Sequence, residues 1–114
     1  MELQEIEKTL LNLLEELKKG LKEYEEAQTE YIEKINEYKK QYSINYLKNK
    51  IEMGKATVNE IDSQTFIDTA SDKLDADLAE GRLKAIREKN EVTKLEIETL
   101  RSLLSLRKSE IGLI

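Results

Sequence analysis

Three groups of residues in this 114-residue chain are of types that could do chemistry, and their spacing decides what each can do. The first is acidic: Glu60, Asp62, Asp68, Asp72, Asp75, Asp77 and Glu80 stand against Lys73 alone. On a helix Asp68, Asp72 and Asp75 share one face, where they could hold a hydrated Mg²⁺ loosely or imitate the phosphates of a nucleic acid. A solvated acidic face, or pairing with Lys39 and Lys40, is the plainer reading. Asp75-Ala76-Asp77 with Gly81 resembles the start of a calcium-binding EF-hand loop, but Glu80 takes the required glycine position and Ile86 that of the bidentate carboxylate.

The second group interleaves Tyr38, Tyr42 and Tyr46 with Lys39, Lys40, Lys48 and Lys50. Tyrosine offers a stacking face to an unpaired base and lysine neutralises phosphate, so Tyr42, Tyr46, Lys48 and Lys50 form a candidate single-stranded nucleic-acid face. Against it, Tyr38 lies in an apolar seam with Tyr42 beside it, and the acidic stretch would screen the lysines. The third group, Gly54-Lys55-Ala56-Thr57, echoes a phosphate-binding loop but lacks the Ser or Thr directly after the lysine and the glycine where Asn49 stands. It reads as a helix stop and turn.

With neither histidine nor cysteine, the chain has no imidazole or thiol chemistry and none of the usual zinc ligands. The remaining carboxylates fall at spacings such as Glu30 to Lys34 and Glu80 to Lys84, which suit surface pairs on helices. We therefore expect no catalytic residues, no metal, no cofactor and no enzyme. A net charge of −5 argues against indiscriminate binding to duplex DNA. The acidic start and the short apolar runs predict neither a signal peptide nor a membrane span.

The elements that carry these groups are helical. Charged residues make up 38% and hydrophobic residues 39% of the chain, the balance of long helices with charged outer faces. Leu3, Ile6, Leu10, Leu13 and Leu17 follow steps of three and four, and Tyr24, Ala27, Tyr31 and Tyr38 continue them; Leu14, Leu21, Ile35 and Tyr42 widen the stripe. Gly20 falls on this face and weakens the helix by about 1 kcal/mol relative to alanine if exposed. Met53-Gly54-Lys55 stops the first helix, and Thr57-Val58-Asn59-Glu60 is a capping box that starts the next. In it the Thr57 hydroxyl accepts from the Glu60 N–H, and the Glu60 carboxylate reaches back to the Thr57 N–H. From there Leu74, Leu78, Ala85, Val92, Leu95, Ile97, Leu100, Leu104 and Ile111 recur in steps that favour one side of a helix ending near Gly112.

The spacing predicts an all-α fold: one domain over 1–114, with a helix over about 2–52, a turn over 54–57 and a helix over about 58–111. The result is a long antiparallel helical hairpin, or coiled coil, in which facing residue numbers sum to roughly 110. Near the turn, Ala70, Ala76, Ala79, Gly81 and Ala85 would accept the tyrosine rings. Caps near Ser43 or Ser63 would allow a short third helix. The seam joining helices within the chain or between copies is expected at Leu10, Leu14, Leu17, Tyr24, Tyr31, Leu78, Ala85, Val92, Leu100 and Leu104. A two-helix hairpin has little interior, so self-association is expected to close it into a helical bundle, a dimer being simplest.

Ala79-Glu80-Gly81-Arg82-Leu83-Lys84-Ala85 and Lys94-Leu95-Glu96-Ile97-Glu98-Thr99-Leu100-Arg101-Ser102-Leu103-Leu104-Ser105, preceded by the Lys55-Ala56-Thr57 turn, carry a resemblance. Over roughly Tyr24 to Glu110 the chain resembles the small helical proteins that bacteriophages of Gram-positive hosts encode in early modules for DNA replication and recombination. That family supplies no functional residues to transfer. The resemblance implies a setting, the cytoplasm of an infected or lysogenic bacterium near DNA-processing machinery. The expected function is a non-enzymatic accessory protein that binds a protein partner, or single-stranded DNA, in phage replication or recombination. Two alternatives are an anti-defence inhibitor of the anti-CRISPR kind, presenting the acidic face as a nucleic-acid mimic, and a structural coiled-coil scaffold.

Overall fold

The computed structural model describes residues 2–112, and those residues form an all-α fold of three helices: α1 (Leu3–Glu52), α2 (Val58–Asp68) and α3 (Ala70–Glu110). With no proline to interrupt it, α1 runs unbroken for 50 residues, without the break considered near Ser43. Lys50 in its last turn suits the negative end of the helix dipole. It stops where Gly54 takes φ +58°, a left-handed conformation open to glycine, and the Ala56 N–H donates to the Met53 carbonyl to close the turn. Thr57 then caps α2 by accepting from the Glu60 N–H at 3.2 Å. The Thr57 hydroxyl donates to the Glu60 carboxylate at 3.1 Å, in place of the expected backbone N–H.

The predicted second helix is divided at Thr69, six residues beyond Ser63. The cause is visible in two consecutive hydroxyls. Thr65 Oγ1 donates to the Ile61 carbonyl and Thr69 Oγ1 to the Thr65 carbonyl, each four residues back, and such back-bonding pulls carbonyls off the helix axis. Thr69 sits at φ −109°, ψ 10°, yet the Thr69 and Lys73 N–H groups still donate four residues back. These two bonds span the break.

The chain divides into two compact units. The first joins α1 up to Glu25 with α3 from Lys84 onward. Its core is Ile6, Leu10, Leu13 and Ile97, with Leu17, Leu100, Leu103 and Leu104 packed against it. Burying each such side chain contributes about 1.5–3 kcal/mol. Further along the seam Gly20 is buried rather than exposed, because the Asn90 side chain fills the space above it and donates to the Gly20 carbonyl at 2.9 Å. These contacts keep the antiparallel register in which facing numbers sum to about 110.

The second unit joins α1 from Glu26, the turn, α2 and α3 up to Leu83. Ala27, Ile61, Ala76 and Ala79 are buried in it, with a polar layer of Asn49, Thr65 and Thr69. Asn49 Nδ2 donates to Thr65 Oγ1 at 3.2 Å and to Asp68 Oδ2 at 2.8 Å, so this buried amide is satisfied. Arg82 pairs with Glu30, and the Lys73 ammonium lies 5.7 Å from the centre of the Tyr38 ring.

Within the chain, the inward row of α3 runs through Asp72, Ala76, Ala79, Leu83, Ile86, Asn90, Thr93, Ile97, Leu100, Leu104 and Arg107. This corrects the expected register for Leu78, Ala85 and Val92, which lie off that row and are exposed, Leu78 at 64% and Val92 at 54%. Ala70 and Gly81 are exposed as well, so of the small-residue series only Ala76 and Ala79 are buried. On α1, Leu10 is buried and Leu17, Tyr24 and Tyr31 are half-buried, whereas Leu14 is exposed beside the seam. Leu100 and Leu104 are half-buried in the first unit.

Candidate functional site

The second unit brings together a larger surface than either sequence-predicted site. Tyr38, Tyr42 and Tyr46 stand one helical turn apart on α1, with ring centres 6.1 and 6.4 Å apart; the first pair is edge-on and the second stacked at 21°. Spacing by four places them in a column, and α2 fixes that column from the side: the Tyr42 hydroxyl donates to Asp62 Oδ1 at 3.0 Å. This hydrogen bond to a carboxylate holds the Tyr42 phenol above its usual ionisation range.

Two adjoining hollows share Tyr42. One is lined by Tyr42, Ser43, Tyr46 and Leu47, the other by Tyr42, Asp62, Ser63, Phe66 and Ile67. Leu47 is 61% exposed, Phe66 54% and Ile67 66%, all on helices rather than loops. Apolar residues gathered this way on rigid backbone form a surface suited to the side chains of another protein. Lys39 and Lys50 lie along the same side of α1 as Ser43 and Tyr46, in steps of four and three, and are exposed.

The predicted nucleic-acid face is only partly assembled. Tyr42 and Tyr46 are together, but their rings are half-buried and stacked on each other, and a carboxylate sits at the Tyr42 hydroxyl. Lys48 is directed elsewhere: it lines a polar hollow with Asn45, Asn49, Glu52, Met53, Gln64 and Asp68. Lys50 is exposed at the end of α1.

The predicted acidic face is divided as well. Asp68 accepts from Asn49 at 2.8 Å and from Gln64 at 2.9 Å, and these two donors, with Lys48 nearby, hold it below the usual carboxylate range. Asp72 lies half-buried on the inward row of α3, and Asp75 is exposed. The bend at Thr69 falls between Asp68 and the other two. Asp77 pairs with Lys73 at 3.4 Å. Among the described residues no group of three or more His, Cys, Asp or Glu side chains converges to hold a metal. Nor is any helix there long and apolar enough to cross a membrane.

Sequence reasoning missed Leu47, Phe66 and Ile67, and read Asp62 as part of the acidic group rather than as the partner of Tyr42. A signal for two of them existed: Phe66-Ile67 is an apolar pair that includes the chain's only phenylalanine, in a segment whose inward positions are taken by Ile61 and Thr65. No protein-family model, no curated protein sequence and no solved structure matches this chain, so its own geometry carries the functional argument.

Proposed function

We propose that this chain is a non-enzymatic accessory protein that acts by binding a protein partner through the aromatic surface of its second unit. The observation that carries the reading is the exposure of Leu47, Phe66 and Ile67 around the Tyr42–Tyr46 stack on rigid helices. Large side chains of this kind anchor protein interfaces, and rigidity lowers the entropy lost on docking. The setting, phage DNA replication or recombination in the host cytoplasm, comes from the sequence resemblance alone.

Self-association belongs to the same proposal. Leu74, Leu78, Val92, Leu95 and Leu106 form an exposed outer row on α3, more apolar surface than a lone pair of helices covers. A second copy is the simplest cover, giving a homo-oligomer. The test is solution mass by light scattering, with and without a single-stranded oligonucleotide at about 50 mM salt, where phosphate contacts are strongest. An oligomer that ignores the oligonucleotide and gains mass with phage recombination or replication proteins supports the proposal. Mass gained only with the oligonucleotide, or with neither, removes it.

A further inference from the structure

A different surface, in the first unit, carries a charge pattern that the proposed function does not use. Between α1 and α3 of that unit runs a shallow groove lined by Leu21, Tyr24, Arg87, Asn90, Glu91 and Lys94. Arg87, Lys94, Arg101 and Lys108 recur every seven residues along α3, each directly following an inward residue: Ile86, Thr93, Leu100 and Arg107. On α1, Leu14 and Leu21 repeat at the same interval, directly following the buried Leu13 and Gly20. Both are exposed, and Leu21 lines the groove together with Arg87 and Lys94. The groove therefore has Leu21 on one edge and Arg87 and Lys94, with Glu91 between them, on the other, and the rows these residues belong to step by about 10.5 Å, two turns of helix.

We infer that this groove docks a third helix, supplied by a partner protein, with apolar residues at heptad spacing and acidic residues flanking them. A helix matches the step of both rows, its apolar row covering Leu14 and Leu21 and its carboxylates meeting Arg87 and Arg101, while Lys94 is already paired with Glu91 at 3.3 Å in the groove. A second copy presenting the same face is disfavoured, because its own row of cations would oppose this one. Nucleic acid fits less well, because the leucine row has nothing to offer a phosphate.

The probe is a synthetic labelled helix of roughly four heptads with leucine in its seam and glutamate on both flanks, beside a control with lysine in place of glutamate. Binding to the whole chain is read by fluorescence anisotropy at low and at raised salt. The acidic helix should bind, weaken as salt rises, and lose at least about ten-fold in affinity against the Arg87→Glu, Lys94→Glu, Arg101→Glu variant. The milder set Arg87→Gln, Lys94→Gln, Arg101→Gln should fall between, and circular dichroism should show both variants as helical as the parent. The inference is overturned if the acidic helix fails to bind, if the lysine control binds as well, or if the variants bind like the parent. It is also overturned if the charge reversal lowers the solution mass of the protein alone, which would make a second copy the occupant.

Discussion

Replacing Gly20 by alanine should destabilise this protein, the reverse of the usual outcome in a helix. Alanine gains about 1 kcal/mol over glycine in an open helical position. Here a Cβ would land on the Asn90 amide oxygen, far inside contact distance. Asn90 is 5% exposed and its amide donates to the Gly20 carbonyl, so it cannot swing into water while keeping that bond. Losing a buried hydrogen bond costs about 1–3 kcal/mol and crowding a packed seam about as much again. Against the propensity gain the net loss is about 3 kcal/mol. In urea, followed by circular dichroism at one fixed protein concentration, the midpoint should fall by about 1–2 M. Gly20→Ala combined with Asn90→Ala removes the clash and should be more stable than Gly20→Ala alone. A Gly20→Ala midpoint at or above the parent's would refute the packing argument.

Other outcomes follow from the same geometry. Leu10→Ala or Ile97→Ala, in the core of the first unit, should each cost about 2–4 kcal/mol, whereas Leu78→Asp and Val92→Asp should leave the helices formed and lower the solution mass by light scattering. Thr57→Ala removes the α2 cap and should cost about 1 kcal/mol in the same urea assay. Asp68 has a lower folded than unfolded ionisation range, so its contribution is whole above about pH 4 and fades as pH falls through the folded value. Asn49→Ala should flatten that acid limb of stability against pH. Tyr42 shows the opposite sign, its contribution being whole below about pH 10 and lost as pH rises through the raised folded value. Tyr42→Phe should remove that alkaline dependence in a urea series at rising pH.

Much of the fold was legible because α1 writes its inward row in large apolar residues. Ile6, Leu10, Leu13, Leu17, Tyr24, Ala27, Tyr31 and Tyr38 are all buried or half-buried, in the frame their spacing implies. On α3 the signal is mixed. Its inward row holds Leu83, Ile86, Ile97, Leu100 and Leu104 but also Asp72, Ala76, Ala79, Asn90 and Thr93, while the outer row holds Leu74, Leu78, Val92, Leu95 and Leu106. Hydrophobicity alone does not separate the two rows. What makes polar residues acceptable inside is local satisfaction: Asn90 donates to the Gly20 carbonyl, Thr93 to the Lys89 carbonyl at 3.1 Å, and Thr65 and Thr69 to carbonyls of their own helix. The bend at Thr69 has the same origin, and a scan for caps looks past it because no proline or glycine marks it. Tyr42 and Tyr46 were found by their spacing on one helix. Phe66 and Ile67 join them only through the return of α2 along α1, a tertiary relation that periodicity does not encode.

A protein partner held on the aromatic surface would be detected by calorimetric titration of phage replication and recombination proteins into the parent chain and into a Phe66→Ser, Ile67→Ser variant. Both residues are exposed, so the variant should fold as the parent does. Saturable binding of one such protein to the parent is expected, with loss of at least about ten-fold in affinity in the variant. Equal binding to both chains, or no binding to the parent, would contradict it.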